Sequence, residues 1–220
     1  MPDASIIEEF NHEKPRTRVV LYLAEHGESS PYQISRDLYQ RVTDGYSTIT
    51  QNLKELKEEG FVEIVRSVPS AKGGEQKLYG LTPLLGFMLA VACTSDRRLF
   101  LQRRASNKEV YQPILDGYEV TLDAIGRDRF MKLLTRSLLA LRHEIAIKGR
   151  KMSLENRERR LLYLFVWPLF TEEANEKEMI KICKGSPFMA GYIQDTYRRT
   201  LSILKRSGRL QGRERNSISK

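Results

Sequence analysis

Apolar residues near the start of the chain recur every three to four positions, which predicts a series of short amphipathic helices. One helix is expected at residues 15–25 and a second at residues 31–38, where Ile34 and Leu38 share a face. Pro31 would occupy the first turn of the second helix, where its missing N–H costs nothing. The second helix is short and half apolar, as a supporting helix would be.

The segment 47–59 predicts a third helix with two different faces. Its core face has apolar residues at positions i, i+4 and i+7, namely Ile49, Leu53 and Leu56. The opposite face carries groups that can bond base edges and phosphates, namely Ser47, Thr48, Thr50, Gln51 and Lys54. Because carboxylates crowd its C-terminal half, we expect this helix to enter a DNA groove N-terminus first. A loop at residues 41–45 would precede it, with Asp44 or Ser47 as the cap.

The pattern after Gly60 changes to that of a β-hairpin. Residues 61–68 are β-branched and apolar, residues 77–81 form a returning strand, and Gly73 and Gly74 suit the turn between them. The hairpin carries three cations that could contact DNA phosphates, namely Arg66, Lys72 and Lys77. Helix, turn, helix and hairpin in this order predict a winged helix-turn-helix, which usually places one helix in DNA.

Three stretches of this region resemble PadR-like and related archaeal and bacterial transcription regulators: SPYQISRDL, GYSTITQNLKELKEEGFVEIV and KLYGLTPLLGFML. In that family a tyrosine or small polar residue opens the recognition helix, LKELxxxGxV closes it and YxLTxxG ends the wing. Here the last motif, at residues 79–86, has one extra residue before its glycine. The resemblance covers about the first ninety residues and implies a DNA-binding winged helix.

Charge is unevenly divided and leaves a second function class open. Residues 14–83 contain ten Lys and Arg against nine Asp and Glu, whereas residues 84–220 contain 27 against 15. The polar face of the third helix favours sequence-specific binding to duplex DNA and a role in transcription regulation. The alternative is a scaffold or complex subunit whose winged helix binds protein, because fold alone does not confer function.

An apolar run follows the hairpin at residues 84–93, after Thr82 and Pro83, which could open a helix there. The run is too short to span a bilayer. It is apolar around nearly its whole circumference, so something beyond one small domain must cover it. We therefore expect a homodimer on a palindromic DNA site, with an interface of Leu84, Leu85, Phe87, Met88 and Val91. The alternative is that the C-terminal helices of the same chain cover this surface.

The rest of the chain predicts an all-helical domain at residues 96–208 and a basic, disordered tail at 209–220. Together with the winged helix at residues 1–95 this makes two domains with two cores, mostly α in fold class. The clearest helix, at residues 127–148, has an apolar stripe of Phe130, Leu133, Leu134, Leu138, Leu141 and Ile145. We assign the helical domain to dimerisation, a protein partner or an effector.

Arginines recur in clusters within that domain, at Arg157, Arg159 and Arg160 and again at Arg198 and Arg199. They could contact phosphates, an acidic partner or the backbone beside the winged helix. The alternative is a solvated helix face, which is the usual place for such charges.

Catalytic and metal-binding patterns are lacking in the sequence. The three histidines are scattered, and neither Cys93 nor Cys183 has a second ligand at metal-binding spacing. No phosphate-binding loop of the G-x-x-x-x-G-K-[ST] type occurs. We therefore expect neither an enzyme nor a cofactor. The first residues are acidic and lack an apolar core, so we expect no secretion signal and a cytoplasmic location.

Overall fold

The computed structural model describes residues 13–39, 42–70, 73–94, 111–148 and 152–206. Within these ranges the chain is mostly helical, with nine α-helices, one π-helical turn and one small antiparallel hairpin. The elements are α1 (Pro15–His26), α2 (Pro31–Leu38), α3 (Val42–Glu59), β1 (Val62–Pro69), β2 (Glu75–Leu81), α4 (Leu85–Thr94), α5 (Gln112–Ile125), α6 (Arg127–Lys148), α7 (Leu154–Pro168), the π-turn (Leu169–Glu173), α8 (Glu176–Gly185) and α9 (Pro187–Arg206). The expectation of a mostly helical fold with a hairpin is confirmed.

Helix α2 has the predicted bounds, and its first turn is closed by a capping box. The Ser30 hydroxyl accepts a hydrogen bond from the backbone N–H of Gln33, whose side chain accepts one from the N–H of Ser30. Two otherwise orphaned backbone donors are thus satisfied. Ile34 is fully buried and Leu38 is partly buried, so α2 packs its apolar face as expected.

Helix α3 begins earlier than predicted, because Val42 is already helical and the expected loop at 41–45 is mostly helix. Gly45 lies inside the helix and is buried. A Cβ at this position would come within 2.2 Å of the Tyr39 ring. The guanidinium of Arg18 lies 5.2 Å from the centre of that ring, so Tyr39 packs against both α1 and α3.

The hairpin pairs Val62 with Leu81 and Ile64 with Tyr79, and a bulge follows Ile64. The segment before α2 adds to it, because Ser29 exchanges two backbone hydrogen bonds of 2.9 Å with Tyr79. This bridge attaches the hairpin to the α1–α2 connection, so β2 is paired on both of its edges at Tyr79.

A short hydrogen-bonded joint connects α3, the hairpin and α4. The Thr82 hydroxyl donates to the carbonyl of Gly60 at 2.8 Å and accepts from the N–H of Gly86 at 2.9 Å. A Cβ at Gly86 would lie 2.2 Å from the backbone oxygen of Phe61, so only glycine permits this approach. Helix α4 begins at Leu85, three residues after the Thr82 cap that the sequence suggested.

Helix α4 is buried within the chain, which corrects the assignment of its residues to a dimer interface. It packs against α1 and β2 and also against α6 and α7. None of the assigned side chains is more than 2% exposed, these being Leu84, Leu85, Phe87, Met88 and Val91. The apolar run does need a second surface to cover it, as the sequence indicated, but helices of the same chain supply that surface and not a second copy.

The C-terminal helices pack around the predicted stripe of α6. All six of its side chains are buried, at 7% exposure or less, namely Phe130, Leu133, Leu134, Leu138, Leu141 and Ile145. Phe130 meets Tyr118 of α5 and Phe165 of α7 in edge-to-face contacts, with ring centres 4.6–6.3 Å apart within the group. Helix α5 itself was not predicted.

The two expected cores are joined into one contiguous apolar cluster that includes α4. Among the residues that the structure describes, no helix is both long enough and apolar enough to cross a membrane. The tail predicted at residues 209–220 lies outside the described residues.

Candidate nucleic-acid interface

The two faces of α3 differ as the sequence predicted. Ile49, Leu53 and Leu56 are at most 1% exposed and hold the helix against the core. Four of the five polar residues assigned to DNA are exposed, namely Ser47, Thr50, Gln51 and Lys54, whereas Thr48 is partly buried. The helix therefore presents hydroxyl, amide and ammonium groups outward over about two turns.

Tyr46 is part of the same exposed face but was not among the predicted site residues. Its side chain is 45% exposed, and its backbone oxygen accepts a hydrogen bond of 2.8 Å from the Thr50 hydroxyl. Tyr46, Thr50 and Lys54 follow one another at four-residue spacing along the helix surface. The omission came from starting the helix at Ser47, since an earlier start would have put Tyr46 on this stripe.

Gln51 is already hydrogen-bonded in the free protein, because its side-chain amide donates to a carboxylate oxygen of Glu55 at 2.6 Å. Both groups are on the helix surface. Such an i, i+4 pair stabilises a helix by only about 0.2–0.5 kcal/mol. A bidentate contact to a base discriminates by about 1–3 kcal/mol. A favourable base contact would therefore outweigh the pair with Glu55.

The three cations assigned to the hairpin have different surroundings. Arg66 donates from Nε to a carboxylate oxygen of Glu28 at 2.7 Å, and both side chains are exposed. Lys77 is exposed on β2, opposite Ser67 of β1. Lys72 lies outside the described residues. An exposed ion pair contributes about 0–1 kcal/mol, so the pairing of Arg66 is easily exchanged for another anion.

The carboxylates at the end of α3 are held by arginines from both halves of the chain. Glu59 forms an ion pair with Arg16 of α1 and accepts a hydrogen bond of 3.1 Å from Nε of Arg142 in α6. Arg16 also lies 3.9 Å from Glu55. The negative charge that would repel a phosphate is thus partly neutralised within the protein.

Arg157 of α7 caps the same helix end from a buried position. Its Nη1 donates to the backbone oxygen of Glu58 at 2.6 Å, and the residue is only 7% exposed. A cation is favourable at a helix C-terminus, where carbonyl groups lack intrahelical partners. Gly60 follows with φ of 86°, and a Cβ there would come within 3.0 Å of the guanidinium. Burial lowers the pKa of Arg157.

The other clustered arginines divide between ion pairs and solvent. Arg160 is bound to Glu144 of α6 through both Nε and Nη2. Arg159 pairs with Glu155 one turn earlier, with both side chains about seven-tenths exposed. Arg198 and Arg199 are exposed on α9. Two arginines of the first cluster, Arg157 and Arg160, therefore serve the fold, a role that sequence reasoning did not assign to them.

Glu158 of α7 is a partly buried carboxylate between like charges. Burial is the largest cause that raises its pKa, a hydrogen bond from Tyr111 opposes the rise, and the carboxylates of Glu155 and Glu63 reinforce it. One of its oxygens, Oε1, is buried without a hydrogen-bond partner among the described residues. This region of α7 is therefore less stable when Glu158 is ionised.

The groups considered for chemistry have structural surroundings. His26 stacks on Tyr22 with ring centres 4.2 Å apart. Burial raises the pKa of the Cys93 thiol to about 12, which keeps it protonated and unreactive. Among the described residues, no three His, Cys, Asp or Glu side chains are grouped so that they could hold a metal ion.

Comparisons of the chain with protein-family models, curated proteins and solved structures found no match.

Proposed function

We propose that this chain is a winged helix-turn-helix transcription regulator that binds duplex DNA with sequence preference. In this proposal the N-terminal half of α3 enters the major groove, and the β1–β2 hairpin contacts the backbone or the minor groove as the wing. The observation that carries the proposal is the division of α3, with three apolar side chains buried and its hydroxyl, amide and ammonium groups exposed.

The electrostatics of α3 support the proposed direction of entry. Its N-terminal end has the positive end of the helix dipole, which attracts phosphate. Its C-terminal carboxylates are partly neutralised by Arg16 and Arg142, and its last carbonyls are capped by Arg157. Entry N-terminus first therefore places the favourable end of the helix nearest the DNA.

A second candidate is a scaffold subunit whose winged helix binds protein. The near balance of charge in residues 14–83 favours it, as does the pairing of Arg66 with Glu28. A nucleic-acid-binding module usually carries a clear excess of cations on its contact face. In this reading the exposed Tyr46 and Tyr32 would contact a partner protein.

Homodimerisation remains part of the proposal, but it requires a surface other than α4. A palindromic site would need two copies related by a two-fold axis, with recognition helices about 34 Å apart. Sedimentation of the free chain and of its DNA complex would give the number of copies directly.

The test is selection of duplexes from a random pool by the full-length chain, followed by fluorescence anisotropy on selected and scrambled duplexes at two salt concentrations. Gln51→Ala is expected to weaken binding to the selected duplex by about 1–3 kcal/mol and to leave the scrambled one nearly unchanged. Lys54→Ala is expected to weaken both and to lower the salt slope by about one unit.

Lys177→Ala is the matched control, because it removes an exposed lysine from α8 in the C-terminal part. It should leave the preference for the selected duplex intact. Failure to select any sequence at low salt would reject the regulator proposal. Equal losses for Gln51→Ala on both duplexes would instead show that Gln51 contacts the backbone.

A further inference from the structure

A groove lies where the end of α3, the start of β1 and the start of α7 meet. Its volume is about 820 Å³, which is within the range of about 300–1,000 Å³ typical of small-molecule sites. The apolar part of its lining, here called the apolar wall, consists of Val62, Ile64, Met152 and Leu154. Leu154 is 37% exposed, so it is open to contact from the groove. The groove therefore offers apolar contact to a ligand.

Cations outnumber carboxylates among the lining residues of this groove. Lys54 and Lys57 come from the exposed side of α3, and Arg157 comes from α7. The opposing carboxylates are Glu58 and Glu63. Helix α7 also begins here, so the positive end of its dipole adds to the cationic side.

Arg157 has an incomplete set of hydrogen bonds. Its Nη1 caps the carbonyl of Glu58, but its Nε is buried and has no hydrogen-bond partner among the described residues. A guanidinium that is more than nine-tenths buried normally meets an acceptor at each edge, because an unsatisfied buried donor is costly. Nε itself is closed to solvent, so an anion in the groove would be attracted by the charge of the guanidinium rather than bonded by Nε.

We propose that this groove binds a small amphipathic anion, with its carboxylate or phosphate head group at Arg157 and Lys57 and its short apolar tail along Met152 and Leu154. The inference concerns the free protein and does not depend on DNA binding. Ile64 of the hairpin lines the same wall and would also contact the tail.

Octanoate, octyl phosphate and octan-1-ol are suitable probes, and binding to the full-length chain can be measured by calorimetry. The first two share the apolar tail but differ in head group, and the alcohol lacks the charge. We expect the two anions to bind in the millimolar range and the alcohol to bind at least about tenfold more weakly, since it forms no charge-assisted hydrogen bond. The tighter of the two anions identifies the preferred head group.

Lys57→Gln and Leu154→Ser test the cationic and the apolar lining of the groove at exposed positions. Each is expected to weaken binding of the better anion by about threefold or more. Lys177→Gln on α8 is the control and should bind as the unchanged chain does. The proposal is overturned if octan-1-ol binds as tightly as the anions, if both groove variants bind normally, or if no probe binds. It is also overturned if inorganic phosphate alone matches octyl phosphate, because the apolar wall would then contribute nothing.

Discussion

The contact between Glu59 and Arg142 predicts a measurable coupling between α3 and the C-terminal helices. The two side chains are 21% and 22% exposed, and Nε lies 3.1 Å from the carboxylate oxygen. A hydrogen bond to a charged group contributes about 1.5–3 kcal/mol, whereas an exposed ion pair contributes about 0–1 kcal/mol. Glu59 keeps a second partner in Arg16, which lowers the expected coupling energy to a value between these two ranges, about 1–1.5 kcal/mol.

The coupling is measured with a double-mutant cycle of Glu59→Gln and Arg142→Met, by urea unfolding of the full-length chain. The cycle is needed because each single change also removes other contacts, such as that between Glu59 and Arg16. Glu59→Gln alone should be the more destabilising single change, since it leaves two arginines facing a neutral amide. The slope of the unfolding free energy with urea should be unchanged.

The pair Glu155–Arg159 on α7 is the matched control, because its side chains are 69% and 73% exposed. Its coupling energy should be at most about 0.5 kcal/mol. If the Glu59–Arg142 coupling is no larger than that of the control pair, α3 is not stabilised through this contact.

Three further outcomes are expected. The raised pKa of Glu158 means that its carboxyl keeps a proton to higher pH in the folded state than in the unfolded state, so stability falls as pH rises above the ordinary glutamate range. In urea unfolding, Glu158→Gln should therefore stabilise the chain at pH 7 but not at pH 4, and equal effects at the two pH values would contradict this. Gly86→Ala should destabilise the folded chain by about 1–3 kcal/mol, because the added Cβ would meet the backbone oxygen of Phe61. In the same thermal melting experiment Gly191→Ala in α9 should be neutral or stabilising, because a Cβ has open space there. A fragment of residues 1–95 should lack a cooperative unfolding transition, because α4 would no longer be covered by α6 and α7. A sharp transition would instead show that the N-terminal part folds alone.

The sequence by itself determined the elements whose signals are local. Pro31 and the spacing of Ile34 and Leu38 defined α2, and the six-residue stripe defined α6 with its observed bounds. The change from helical spacing to β-branched residues after Gly60 located the hairpin. These signals succeed because the side-chain periods of helix and strand are properties of the backbone, independent of distant partners. The same logic identified the polar face of α3, apart from Tyr46.

The tertiary structure decided which surfaces are covered and which charges are paired. The apolar run of α4 required a covering surface, but periodicity cannot say whether a second copy or the same chain provides it. The hydrogen bond by which Arg157 caps α3 at Glu58 joins residues 99 positions apart, and that between Arg142 and Glu59 joins residues 83 positions apart. An arginine in a sequence pattern has the same appearance whether it faces solvent, as Arg159 does, or ends a helix from a buried site, as Arg157 does. Long-range packing determines that difference, because burial and pairing depend on elements that meet only after the chain has folded.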